Sequence, residues 1–285
     1  MLFSRVILSM ALTAAAMPVL AQKVEPFTLA PSRQKVDPFA QTPNHLRLYT
    51  ECMQLARREP LKALPMAEKW KAEGGGLGAR HCVAIAMFEG GKFVPAATQL
   101  EAIERDMGSD RPGVRAELLA QAGQAWMEAN QAENAAAAQS RALDLKPTDA
   151  DLWVDRGLSY AAMRAWPRAI SDFDHALTLR ANNVEILVLR AAAWRNAGDP
   201  AKALADADRA LKIAPDHSEA LLERAFAFLA RGDKGGADIA FARVLKLVPP
   251  GSDAAKRAEA GLRGDQPGAA KLPAASGPVN EKKKP

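Results

Sequence analysis

Leu152-Trp153-Val154-Asp155-Arg156-Gly157-Leu158-Ser159-Tyr160, followed by Ala169-Ile170-Ser171-Asp172-Phe173-Asp174-His175-Ala176, is one cycle of a pattern that recurs every 34 residues. Leu152, Trp153, Arg156 and Tyr160 stand at helical spacing, and Ile170, Phe173, Leu177 and Arg180 do the same in a second stretch. Cutting the chain at 116, 150, 184 and 218 aligns four copies. One small column runs through Ala135, Ala169, Ala203 and Ala237, and a second through Ala142, Ala176 and Ala210, with Val244 in the fourth copy. Pro147, Pro215 and Pro249 close three copies, and Ala181 takes that slot in the other. Small residues at Gly157 and Ala176 let two helices approach closely, while Trp153 and Tyr160 fill the space between them. Gly198-Asp199-Pro200 reads as a helix stop, an N-cap and a helix-initiating proline, and Gly232-Asp233 repeats the turn. No β-branched run alternates with polar residues, so no strand is predicted. A period of this length predicts a stacked array rather than one globular core.

The columns resemble the tetratricopeptide repeat, a helix–turn–helix unit of 34 residues. Copy 150–183 carries Trp153, Gly157, Tyr160, Ala169, Phe173 and Ala176 in the signature slots. Copy 116–149 keeps Leu119, Gly123, Trp126, Ala135, Ala142 and Pro147, and copy 184–217 keeps Leu187, Ala191, Trp194, Ala203, Ala210 and Pro215. Copy 218–251 keeps Leu221, Ala225, Phe228, Ala237, Phe241 and Pro249. Two degenerate units precede them at 44–76 and 77–110, the latter with Ala84, Met87, Ala96 and Leu100, and the insertion Arg111–Arg115 separates weak from strong units. The resemblance covers 44–250 and implies an all-α, right-handed superhelical solenoid. A solvating helix over 252–263 is expected to cap it, since terminal repeats need a polar outer face.

The ends carry different signals. Arg5, the apolar stretch Val6–Ala16 and the small-residue site Val19-Leu20-Ala21 predict an export signal over 1–21, cleaved after Ala21, and a periplasmic location. The stretch is too short to span a bilayer, and an uncut anchor is the alternative. Residues 22–43 form an extended, proline-containing linker in which Lys23-Val-Glu-Pro-Phe27 recurs as Lys35-Val-Asp-Pro-Phe39. The pair reads as a tandem docking motif, a strip packing on the array, or a plain linker with chance similarity. Residues 264–285, rich in Pro, Ala, Gly and Lys, predict a disordered tail. Its Lys282-Lys283-Lys284 run is a solvated terminus or a weak contact to anionic membrane or cell-wall polymer. The chain has a formal charge of +5, yet residues 44–250 hold 27 basic and 27 acidic residues. The excess lies in the flanks, so the body offers no basic face for nucleic acid.

Catalytic sets are not apparent. His45, His81, His175 and His217 are scattered without metal-ligand spacing, no cofactor is implied, and an enzyme is not expected. Gly74-Gly-Gly-Leu-Gly78 lacks the strand and Lys-Ser/Thr of a phosphate loop and reads as a flexible turn. Trp166 falls at a turn, where exposure could support self-association; the oligomeric state stays open. Cys52 and Cys82 fall in the first helices of adjacent units, which the resemblance makes neighbours, and pair as a disulfide or stay as two buried thiols.

Arg156, Arg190 and Arg224 form one column and Asp172 and Asp206 another, which Ala138 and Ala240 interrupt. They predict a structural ladder of ion pairs at the helix interface. In similar proteins the first helices line a concave groove. Carried over, the groove floor would be Val154, Leu158, Val188, Ala192, Leu222 and Phe226. Its acidic edge would be Glu117, Asp151, Glu185 and Glu219, which otherwise serve the helix dipole. The carboxylate clamp of Lys and Asn found in chaperone-binding relatives is not matched by Val154, Leu158 and Val188. The function expected is a non-catalytic scaffold or adaptor of the cell envelope, with a protein or peptide as partner. The alternative is an envelope-associated protein tethered by its basic tail.

Overall fold

The computed structural model describes Phe39 and residues 42–265, and those residues form thirteen helices and no strand. They run as α1 (Pro43–Arg58), α2 (Pro60–Ala72), α3 (Gly76–Glu89), α4 (Phe93–Asp106), α5 (Pro112–Glu128), α6 (Ala132–Leu145), α7 (Ala150–Ala162), α8 (Trp166–Leu179), α9 (Val184–Asn196), α10 (Pro200–Ile213), α11 (Ser218–Ala230), α12 (Lys234–Leu247) and α13 (Asp253–Leu262). The export signal, the Lys23–Phe27 motif and the Lys-rich terminus lie outside the described residues. No described helix is long and apolar enough to cross a membrane.

Five of the six pairs close through the same turn, while α1 and α2 are joined at Glu59 with φ −144°. Gly91, Asn130, Arg164, Gly198 and Gly232 take positive φ after the first helix of a pair. The amide that follows each of them returns to the carbonyl of Met87, Trp126, Tyr160, Trp194 or Phe228, the large-residue column of the sequence pattern. Such a bond satisfies a carbonyl that the helix end would otherwise leave orphaned. One residue type therefore fills the interior and also marks the place where the chain reverses.

Packing follows the columns. Ala135, Ala169, Ala203 and Ala237 are all 0% exposed. A Cβ on Gly157 would lie 2.6 Å from the Phe173 ring, so that contact requires glycine. Consecutive first helices touch (α1 with α3, α5 with α7, α9 with α11), and no two second helices do so to the same extent. The solvating α13 packs on α11 and α12, with Ala255 and Ala258 buried beneath it.

Two local expectations change, and the Arg111–Arg115 insertion acquires a structure. Pro112–Arg115 add a turn to the start of α5 behind Arg111, which has φ 62°. The Gly74–Gly78 run is not merely a flexible turn, because Gly76–Gly78 open α3 and Gly78 is buried. Trp166 is the first residue of α8 and packs half-buried against the central apolar cluster.

Candidate partner-binding face

The face made by the first helices is the candidate surface, and the structure corrects its composition. Of the six expected floor residues, Val154 keeps partial exposure while Leu158, Val188, Ala192, Leu222 and Phe226 are 8%, 6%, 2%, 0% and 3% exposed. These five are interior residues. Toward the C-terminal end, charge also covers the wall. Glu223, 3% exposed, accepts Arg195 Nε at 2.9 Å and lies 3.5 Å from Arg257. Both guanidinium groups stand over the Phe226 ring, at 5.5 and 5.9 Å from its centroid. Arg257 also donates to Glu219 at 2.7 Å, so that acidic position is already paired.

Between the helices of two pairs, α7–α8 and α9–α10, runs the ion-pair ladder. Arg156 donates Nε and Nη2 to Asp172 at 2.8 and 2.9 Å, and Arg190 does the same to Asp206 at 2.8 and 2.6 Å. The remaining guanidinium nitrogen reaches back one repeat, from Arg156 to Ser140 at 3.1 Å and from Arg190 to Asp174 at 2.6 Å. Arg224, which faces Ala240 within its own repeat, keeps only that backward leg as an ion pair with Asp208 at 2.8 Å. The Asp172 and Asp206 carboxylates hold the Arg156 and Arg190 guanidiniums above their ordinary basicity, against the opposing effect of burial. The added turn of α5 brings a second hub. Arg115 donates twice to Glu104, at 2.9 and 2.6 Å, and Arg141 donates to the other carboxylate oxygen. Glu104 is 2% exposed, so both arginines offset the cost of burying its charge.

Against known proteins, the tetratricopeptide repeat family profile matches residues 122–193. The C-terminal part of a TPR repeat-containing protein from Cytophaga hutchinsonii superposes with a TM-score of 0.61 at 16% identity, covering 76% of this chain and 87% of that one. MamA from Desulfovibrio magneticus RS-1, from residue 41 to its end, superposes with a TM-score of 0.54 at 16% identity, covering 60% and 94%. Residues 122–193 thus match the tetratricopeptide-repeat profile, and the stacked helix pairs share the fold of these two solved structures. No curated protein matches the sequence. The tetratricopeptide fold is the all-α, right-handed superhelical solenoid that the resemblance implies.

Each of the first helices α5, α7 and α9 carries an exposed carboxylate: Glu117, Asp151 and Glu185 are exposed, and Val154 is partly exposed. Asp151 and Glu185 lie in first turns of their helices, but Glu117 does not, because α5 starts five residues before it. Asp151 accepts both Arg180 nitrogens, at 2.6 and 2.8 Å. Deeper in the same wall is Asp155, whose carboxyl is pushed up to about 7 by burial and by the charges of Asp151 and Asp149. Asp149 moves the other way: burial opposes its charge, but the Lys146 ammonium and the Asp151 amide bind it strongly enough to hold it below the usual range.

Asp155 was missed at the sequence level, as were the backward ladder partners and the Arg195–Glu223–Arg257 cover. Ser140, Asp174 and Asp208 do recur at the period of 34 residues, so a signal existed. The cover carries none, because Arg257 comes from the non-repeating α13. Cys52 and Cys82 are joined as a disulfide, with Cα atoms 6.1 Å apart and both residues fully buried. Among the described residues no group of three His, Cys, Asp or Glu is placed to hold a metal.

Proposed function

We propose that the protein is a non-catalytic scaffold of the cell envelope that holds a partner protein against the acidic stretch of its first-helix face. The observation that carries this reading is the distribution of accessibility along that face. The C-terminal part is closed by Arg195 and Arg257, whereas Glu117 of α5, Asp151 of α7 and Glu185 of α9 are exposed, with Asp155 and Val154 partly buried on α7. A basic segment with one short apolar anchor is complementary to that arrangement in charge and shape. Export through the 1–21 signal, with a mature chain starting at Gln22, agrees with a buried disulfide, since such bonds persist in oxidising compartments. The Lys282–Lys284 terminus adds weak attraction to anionic envelope surfaces in this reading.

Crosslinking in the native envelope, followed by mass spectrometry, tests the proposal. Asp155→Lys combined with Glu185→Lys should reduce recovery of the principal partner at least tenfold, while Lys212→Glu on α10 should leave it unchanged. Equal recovery from wild type and the double variant would remove the acidic stretch as the contact surface.

A further inference from the structure

The sixth residue of each strong copy is Gln121, Asp155, Leu189 or Glu223, and three of the four are matched to their surroundings. Gln121 of α5 reaches the preceding first helix, where its Oε1 lies 2.8 Å from His81 Nε2. Leu189 of α9 is buried in the apolar cluster that also holds Ala161. Glu223 of α11 accepts Arg195 Nε from the preceding first helix at 2.9 Å and lies 3.5 Å from Arg257 of α13. Asp155 of α7 is the exception. Burial and the like charges of Asp151 and Asp149 act on its carboxyl, with no hydrogen bond and no cation among the described residues to oppose them.

The period explains the difference. Arg195 stands 28 residues before Glu223, and Arg257 stands one period after it. The same offsets from Asp155 lead to Met127 and Leu189. Phe226, whose ring supports both guanidinium groups at α11, has Leu158 as its counterpart at α7. The α7 position therefore keeps the carboxylate and an apolar support, and lacks both cations. Glu223 is 3% exposed beneath its arginines, whereas Asp155 is only partly buried and can be reached from outside. Asp151 differs again, because Arg180 already holds it through two hydrogen bonds. A carboxylate left half out of water without a cation costs the fold stability, and an arriving cation offsets that cost on binding.

We propose that Asp155 is the seat of an arginine side chain from the partner protein, which takes at α7 the place that Arg195 and Arg257 fill at α11. The inference rests on the partner-binding reading above and makes it specific: the basic segment carries an arginine beside its apolar anchor. Arginine fits better than lysine for two reasons. A guanidinium meets a carboxylate with two parallel donors, as Arg156 does at Asp172 and Arg190 at Asp206. It is also more weakly hydrated than an ammonium, which suits a position whose counterparts are Met127, Leu158 and Leu189.

The full chain, with its aspartate carboxyl carbons labelled, is titrated by NMR with the peptide acetyl-Gly-Arg-Leu-Gly amide and with its lysine analogue. A saturable shift of the Asp155 carboxyl is expected, with affinity for the arginine peptide at least about fivefold higher. In Asp155→Asn, followed through the Leu158 amide, binding should weaken at least about tenfold. Met127→Arg supplies the missing guanidinium from within and should weaken it as much. If Met127→Arg does not fold by circular dichroism, Met127→Lys replaces it, with a smaller loss expected. Absence of a saturable shift at millimolar peptide, equal affinity for the two peptides, or binding indifferent to Asp155→Asn overturns the seat. A second arm compares partner recovery in the native envelope from Asp155→Asn with that from Asp155→Lys combined with Glu185→Lys. Loss from both is expected. Loss from the double variant alone leaves the acidic stretch standing and removes the arginine seat, and undiminished recovery from both removes the seat and the acidic stretch together.

Discussion

Asp155 shows how one carboxyl can make a repeat protein sensitive to pH. Its folded-state pKa, about 7, lies above the ordinary value of 3.8 because burial and the charges of Asp151 and Asp149 oppose ionisation. Between those two values the native state binds a proton that the unfolded chain releases. Stability from this group therefore rises as pH falls from 8 toward 4. Thermal unfolding should show a higher Tm at pH 5 than at pH 8, and Asp155→Asn should flatten that difference. At pH 8 the substitution should stabilise by about 1–2 kcal/mol, allowing for solvent screening of a carboxyl that keeps some surface. An unchanged pH slope in Asp155→Asn would reject this account. The ladder makes the contrasting point. Arg156 with Asp172 and Arg190 with Asp206 were legible because both partners recur in register. Asp155 was not, because Gln121, Leu189 and Glu223 fill its slot in the neighbouring copies, and its chemistry comes from the particular wall around it.

Helices and turns were the most legible elements. Each positive-φ turn position follows a large-residue column, and at Gly198 and Gly232 the residue type itself gives the turn away. Asn130 and Arg164 adopt the same conformation without glycine, held there because the amides that follow bond Trp126 and Tyr160 carbonyls across the reversal. The extra turn of α5 was not legible, since Arg111–Arg115 carry no apolar periodicity. What stabilises that turn is distant in sequence: Arg115 meets Glu104 of α4, where Arg141 of α6 also arrives. The disulfide braces the N-terminal elements in a similar long-range way. Removing it with Cys52→Ala and Cys82→Ala should cost about 3–4 kcal/mol in the chain-entropy account for a closed loop of about 30 residues. Repeats interact with their neighbours only, so the loss should be local. Hydrogen exchange should rise across α1–α4 and stay unchanged in α9–α12; uniform loss of protection along the array would contradict nearest-neighbour stacking.

Viewed as a whole, the array is a series of pairs none of which buries its own apolar surface, so its end needs a cover. That cover is α13, whose Gly261 lies against the Phe241 ring and whose Arg257 spans Glu219, Glu223 and Phe226. Truncation after Val248 should expose that edge, lower Tm and cause self-association that grows with concentration. Light scattering that shows an unchanged monomer at every concentration would count against α13 as a cap. The period, the helix pairs and the ladder were written in the sequence, because recurring columns express interactions that several copies make in the same way. Which wall residues remain open was not, because that depends on how closely first helices approach and on what the non-repeating segments cover. Leu222 occupies the same slot as the partly open Val154, yet is fully buried. Phe39 is likewise placed by α1 and α3, where its ring stacks on Tyr49 and His81, and only the folded chain brings those surfaces together.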